Sequence, residues 1–291
     1  MMTMREIFQK IGANEDLNFL LTNRIPRIAL TRFMGWFSQI RHPIIKKWSI
    51  SIWQTFADLD LSEARKSEFD SLHDCFIREL KPGSRFIDRS PYVLSSPCDG
   101  IVGAIGRVNN GQLYQAKGFP YTINDLLGDQ VKNSIWENGW FITIRITSSM
   151  YHRFHAPYQG KLKRVQYFTG DTWNVNPIAL KRVEKLFCKN ERALLEIELG
   201  SKAYPVALVP VAAVLVASIR LHALDGLVRE KCHFSKNMSC HATFEKGDEL
   251  GWFQHGSTII VFAPHTFSIA PGIEEGKLLK MGESLMHLPL E

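Results

Sequence analysis

The stretch from Ala203 to Ile219 is the longest in the chain without a charged side chain or a histidine, and it limits what the chain can fold into. As a helix it would reach the lower edge of the length that spans a bilayer. Pro205 and Pro210 interrupt it, however, and Val206, Val209, Val211, Val214 and Val216 are stiff, β-branched residues that favour extended backbone. It therefore reads as two buried strands and not as a membrane-crossing helix. A rhythm of short apolar runs divided by Gly, Pro, Asn and Asp begins near Arg85 and takes in Val93-Leu94, 101–105, 141–146, 161–168, 194–199 and 258–262. Only 122–127 and 177–187 interrupt it with helical patterns, so residues 81–291 are predicted to form a β-rich catalytic domain of the α+β class.

Residues 1–80 have a different character. No acidic residue occurs between Asp16 and Asp58, where Arg24, Arg27, Arg32, Arg41, Lys46 and Lys47 are interleaved with Phe33, Trp36, Phe37, Trp48 and Trp53. Leu30, Phe33, Met34, Phe37 and Ile40 recur at helical spacing, as do Ile45, Trp48, Ile52 and Phe56, which predicts two amphipathic helices broken near Pro43. Such faces either pack on the following domain or dock in the headgroup plane of a membrane. The basic, tryptophan-bearing composition favours docking on an anionic bilayer over binding nucleic acid. A third helix is predicted from Ser62 to Leu80, stopped by Pro82-Gly83.

The excess positive charge behind the net +6 sits in the acid-free stretch between Asp16 and Asp58. Five cysteines, an odd number in a chain too large to need staples, suit a reducing compartment. The first residues, Met1-Met-Thr-Met-Arg-Glu, lack the features of a secretory signal. The expectation is a peripheral protein on the cytoplasmic side of the cell membrane.

Three segments suggest chemistry. Gly256-Ser257-Thr258 stands just ahead of the strand 258–262. Without a Cβ, Gly256 lets a nucleophile approach its carbonyl, and Ser257 supplies one, provided a base removes its proton. Asp99, in Ser95-Ser-Pro-Cys-Asp-Gly-Ile-Val-Gly103, and His155, in Tyr151-His-Arg-Phe-His-Ala-Pro157, are of the kinds that orient and provide such a base. Their order along the chain is no objection. Taken singly, each is as readily a turn or core residue. Cys232-His233 and Cys240-His241 carry zinc-ligand types, but at spacings unlike the usual pairings, so they read as a polar loop and no metal is expected. Gly100, Gly103 and Gly106 lack the strand, helix and acidic partner that a phosphate-binding loop requires.

Together with Gln115-Ala-Lys-Gly118, Gly170-Asp171 and Asn190-Glu-Arg192, these segments resemble the phosphatidylserine decarboxylase family in order and spacing, from about Phe76 to the C-terminus. The resemblance implies that Asp99, His155 and Ser257 form a triad acting on the chain itself, cutting between Gly256 and Ser257. A large β chain, 1–256, and a small α chain, 257–291, would remain together as a heterodimer, with higher association left open. Ser257 would become a covalent pyruvoyl group, replacing pyridoxal phosphate and needing no metal. It would form a Schiff base with phosphatidylserine, release carbon dioxide and yield phosphatidylethanolamine. His152 matches the other histidine of the family's Tyr-His-x-x-His motif and is expected to return a proton after decarboxylation. His255 departs from the apolar residue common before Gly-Ser-Thr in this family, and is read as replacing packing surface.

Overall fold

The computed structural model describes residues 14–24, 26–114, 119–128, 135–214, 218–231, 237–254 and 257–289. His255, Gly256, Cys232, His233 and the segment 115–118 lie outside the described residues. The first strands are β1 (Val93–Ser95), β2 (Gly100–Arg107), β3 (Gln112–Tyr114), β4 (Pro120–Thr122), β5 (Trp140–Ile146), β6 (Arg153–His155), β7 (Gly160–Phe168), β8 (Arg192–Leu199) and β9 (Tyr204–Ala212). There follow β10 (Ile219–Leu221), β11 (Gly226–Leu227), β12 (Asn237–Ser239), β13 (Thr243–Phe244), β14 (Glu249–Phe253), β15 (Ser257–Ala263), β16 (Ser268–Ile269), β17 (Leu278–Leu279) and β18 (Ser284–His287).

Among the described residues, a nine-stranded sheet runs β12-β7-β8-β9-β15-β5-β2-β17, with β13 also on β7. All its pairings are antiparallel. Smaller sheets, β1-β18-β16 and β11-β10-β14-β6, and the hairpin β3-β4 flank it. Strand β15 is buried along its whole length. Ile259, Val261 and Ala263 enter one core with Ile142, Ile144, Leu195, Leu208, Phe154 and Leu285. Ile260 and Phe262 enter a second, with Phe141, Val209, Leu113, Leu126 and Phe187. Both faces are covered, which is why β15 and β9 read as continuous apolar runs without polar alternation. Pro205 and Pro210 sit within β9 itself, where Pro210 faces Ile259. The ladder to β8 pairs Arg192 with Val211 and resumes at Leu195–Leu208, a gap suited to a residue with no N–H to donate.

Helices α1 (Glu15–Asn23), α2 (Arg27–Phe37) and α3 (Pro43–Ala57) precede the sheets. The last two match the predicted amphipathic pair, with Pro43 opening α3, where a missing N–H costs nothing. Helix α4 (Leu72–Phe76) is all that forms of the third, capped by Ser71, whose hydroxyl accepts from Asp74 N. Arg65 N donates to Glu79 O, and Lys81 N to Glu63 O, at 2.8 and 2.9 Å, closing 62–80 as a loop with its ends paired. A helix would hold those ends roughly 24 Å apart, so the pairing excludes it. Short helices α5 (Ile123–Leu127), α6 (Pro177–Arg182) and α7 (Leu186–Lys189) cover the second core, in the two stretches expected to be helical. A reciprocal capping box between Thr122 and Asp125 starts α5.

Helix α1 is fastened to the sheet domain. Asn23 is fully buried and its Oδ1 accepts from Asn174 N at 3.1 Å. Asn176 Nδ2 donates to Asn18 Oδ1, and Arg182 pairs with Asp16. Arg27, which opens α2, pairs with Asp171 at 2.6 Å and lies 3.7 Å over the Trp173 ring. Replacing Asn23 by Ala should leave a buried N–H unsatisfied and lower stability by about 1–3 kcal/mol, measured by denaturant unfolding. An unchanged midpoint would mean that α1 is not anchored there.

Candidate active site

The sheet register gathers the three motif segments. Ser257, the first residue of β15, faces Ile146 at the end of β5 on one side and Ala212 at the end of β9 on the other. Asp99 immediately precedes β2, whose Ile101 faces Arg145 of β5. Asp99, Ile146 and Ser257 thus share one end of the sheet. Gly100 is required there, since a Cβ on it would lie 2.5 Å from Ile144 Cγ2 and 2.9 Å from the Arg145 carbonyl. Main-chain bonds bring in the histidines: His155 N donates to Pro97 O at 2.7 Å, and Phe253 N to His152 O at 3.0 Å. Strand β14, paired with β6, ends at Phe253, four residues before Ser257.

His155 is buried, and both ring nitrogens are engaged. Nδ1 lies 2.9 Å from the Gly247 carbonyl, which fixes the proton on Nδ1, and Nε2 lies 3.0 Å from the Tyr151 hydroxyl. Burial holds the Tyr151 phenol protonated, so it donates to Nε2. Burial also pushes the His155 pKa below its ordinary value, overriding the Gly247 carbonyl and the more distant charges of Glu249 and Asp99, which act the other way. Asp99 itself accepts from Arg85 Nε at 2.8 Å, from Arg85 Nη2 at 2.5 Å and from Met281 N at 2.9 Å. Arg85 also pairs with Glu63. Gly247 and Tyr151 therefore orient the imidazole, while Asp99 stands in a fork with Arg85 and supplies a fixed charge nearby. Tyr151 was visible inside its motif, but the Gly247 carbonyl and Arg85 had no signal in local sequence.

His152 is fully buried, its Nδ1 2.8 Å from the Met150 carbonyl and its ring centroid 3.9 Å from that of Phe76. Phe76 stacks in turn on Trp53 of α3, with centroids 5.5 Å apart. Phe76 and Trp53 line a cavity of about 960 Å³, walled by Met34, Phe37, Ile45, Trp48 and Ile52 of α2 and α3 and reaching Ser257. Ser257 is fully buried, and among the described residues its Oγ has no hydrogen-bond partner. Leaving a buried hydroxyl unsatisfied costs about 1–3 kcal/mol, which marks it as a group kept for something other than stability.

The other motifs build the frame. A Cβ on Gly170 would meet the Asn190 backbone at 2.4 Å, and Asp171 bridges to Asn190. Asn190 is fully buried and holds Trp173 N, Trp173 O and Ala212 O with one side chain. Arg192 is buried against carbonyls at the ends of α5 and α7, Leu126 and Cys188 among them, where the helix dipoles favour a cation. Among the described residues no group of three or more His, Cys, Asp or Glu side chains is placed to hold a metal ion.

The phosphatidylserine decarboxylase family profile matches residues 72–287. A phosphatidylserine decarboxylase proenzyme of Xylella fastidiosa is 31% identical over 284 residues, covering 93% of this chain and 95% of that protein. A protein of the same description from Brevibacillus brevis is 33% identical over 271 residues, covering 91% and 95%, and one from Shewanella putrefaciens is 33% identical over 288 residues, covering 94% and 98%. With the motif segments converging on a buried serine and the match spanning nearly the whole chain, this protein belongs to the phosphatidylserine decarboxylase family of carboxy-lyases.

Proposed function

We propose that the chain is a self-processing proenzyme that converts phosphatidylserine to phosphatidylethanolamine and carbon dioxide with a pyruvoyl group made from Ser257. The observation that carries this reading is the buried Ser257 hydroxyl, without a hydrogen-bond partner among the described residues, at the wall of an apolar cavity and one residue after Gly256. Burial keeps the His155 imidazole neutral, the form that can accept a proton. His155 exchanges its Tyr151 partner for the Ser257 hydroxyl and takes that proton as Oγ attacks the Gly256 carbonyl carbon. The C–N bond breaks, the amine leaves, and an ester joins Gly256 to Ser257 Oγ. Loss of the residue-257 Cα proton expels the Gly256 carboxylate and leaves dehydroalanine, which takes up water and releases ammonia to give the pyruvoyl group.

Asp99 favours the imidazolium formed in the first step and, through Met281 N, binds the segment that becomes the small chain. That chain stays as a heterodimer partner, because β15 lies hydrogen-bonded between β9 and β5. The pyruvoyl carbonyl supplies the electron sink that lets an α-amino carboxylate lose carbon dioxide. His152, whose Nδ1–H is held by the Met150 carbonyl, returns a proton to the substrate α-carbon.

The lipid reaches the site along α2 and α3. Phe33, Trp36, Ile44, Trp48, Ile52 and Phe56 expose large apolar surface there, and Arg24, Arg32, Arg41 and Lys47 are exposed around them. This is the composition of a peripheral interfacial anchor on the cytoplasmic face of an anionic membrane. Among the described residues no helix is long and apolar enough to cross a membrane. Arg27 and Lys46 already have protein partners in Asp171 and the Phe69 carbonyl.

Intact mass spectrometry should show two fragments for the wild type and a single chain for Ser257→Ala. His155→Ala should slow cleavage by several orders of magnitude, as removal of a base from a cooperating set does; efficient cleavage in that variant would remove the assignment. Because the His155 pKa is lowered, the cleavage rate should hold as pH falls past about 6.5 and decline only below it. A decline already complete at pH 6.5 would contradict the burial argument. Replacing Arg24, Arg32, Arg41 and Lys47 with Gln should move the protein to the supernatant in sedimentation with anionic liposomes, since each basic residue near the surface contributes about 1 kcal/mol. Salt-insensitive, unchanged sedimentation would remove the electrostatic part of the anchor.

A further inference from the structure

Arg145 has no role in the scheme above. It is half-buried in β5, opposite Thr258 on one side and Ile101 on the other. Among the described residues it forms no ion pair and no side-chain hydrogen bond, and desolvation lowers its pKa with no neighbouring charge offsetting it. A guanidinium drawn out of water without an anion is costly, so the site is incomplete.

Two cavities meet at this residue. The first, of about 960 Å³, is the apolar one that reaches Ser257, and Arg145 is the one charged residue among its described lining. The second, of about 1180 Å³, is lined by Arg107, Arg145 and Lys181 with Glu275 as the opposing carboxylate, and by the hydroxyl-bearing Tyr114, Thr143 and Thr258. Ser257 lines the first cavity and Thr258 the second. An apolar chamber beside Ser257 and a cationic, hydroxyl-rich one therefore share Arg145 as a wall residue. That division suits an amphiphile with an anionic head.

We propose that Arg145 holds the phosphodiester of the lipid substrate, so that the head group lies at the junction and the acyl chains run toward α2 and α3. The assignment rests on the reading of the chain as acting on phosphatidylserine. The substrate carries two anionic groups, and the chemistry discriminates between them. A cation on the carboxylate would stabilise the ground state more than the transition state, where that charge is leaving as neutral carbon dioxide. The phosphodiester keeps its charge throughout, so pairing it with Arg145 adds affinity without opposing decarboxylation. A guanidinium also offers a planar fork that matches two phosphate oxygens.

The test compares wild type, Arg145→Gln and Arg145→Lys in mixed micelles, after mass spectrometry of each. Both variants should mature into two fragments. In Arg145→Gln, KM for phosphatidylserine should rise roughly 10- to 100-fold with kcat little changed, the signature of lost uniform binding by a charge-assisted pair. Inhibition by the product, phosphatidylethanolamine, should weaken by the same factor, since the product retains the phosphodiester and has lost the carboxylate. Arg145→Lys should fall between, and it carries the same test if Arg145→Gln fails to mature. An unchanged KM overturns the assignment, as does a raised KM with undiminished product inhibition, which would mean that Arg145 reads the carboxylate. A wild-type enzyme that forms no phosphatidylethanolamine sinks the functional reading itself, whereas an active wild type with unaffected variants sinks only the role of Arg145.

Discussion

The structure depends on strand β15 being hydrogen-bonded on both edges and buried on both faces. Its ladders to β5 and β9 pair Ser257 through Phe262 on either side, and its side chains alternate between the two main cores. Removing such a strand would open both cores and leave two ladders unpaired, which no single surface contact could offset. The cleavage proposed just ahead of it has a specific consequence. The new N-terminus would arise already inside the fold, at the wall of the cavity, with β17 and β18 binding the rest of segment 257–291 to β2 and β1. Such a cut would change the covalent chain without requiring the sheet to reassemble.

The same rigidity governs the charges around the site. Arg85 and Asp99 form a nearly buried pair, and such a pair tolerates burial only when its remaining hydrogen-bonding capacity is filled. Glu63 and Met281 N fill it. The network therefore ties the loop 62–80, the Asp99 motif and the C-terminal segment around Met281 into one unit, and Lys280 extends it to Glu63. His155 is held differently, by one carbonyl and one phenol. A neutral phenol is a weaker partner than a carboxylate, which suits the role of base proposed for His155. The contrast between the two residues follows from which partners are charged.

The β-rich domain was legible because its strands are bounded by Gly, Pro and Asn, and because a doubly covered strand such as 257–263 carries an unmistakable apolar run. The two N-terminal helices were legible from their spacing. The stretch 62–80 was misleading: Phe69, Leu72 and Phe76 keep a helical period, but the loop is closed by main-chain bonds between residues far apart in sequence, which side-chain patterning does not report. The site divides in the same way. Asp99, His152, His155 and Ser257 stood in motifs, and the register brings their segments together. The identity of the groups that touch them did not, because Gly247 contributes a carbonyl and Arg85 and Met281 reach Asp99 from other segments. Arg145 left no trace either, since one arginine in a strand has no period and its meaning comes from the cavities on either side.

Those cavities connect the outside of the molecule to its chemistry. The exposed faces of α2 and α3 and the walls of the apolar chamber are made by the same helices, with Phe33 and Trp36 turned outward while Met34 and Phe37 turn inward. Trp53 of α3 stacks on Phe76, and Phe76 on His152, so three rings lead from the helix to a residue of the site. A soluble enzyme would bury both faces of such helices or make one of them polar. Leaving one face apolar toward solvent and the other toward a chamber is useful when the substrate is itself a lipid, because its acyl chains can then pass from bilayer to site without crossing water. In the proposed docking, the basic residues around the outer face would hold the helices at the headgroup level, where that passage begins. On that proposal, the charge and tryptophan content of the N-terminus and the apolar lining beside Ser257 answer one requirement, that a group buried in the protein meet a substrate that resides in a membrane.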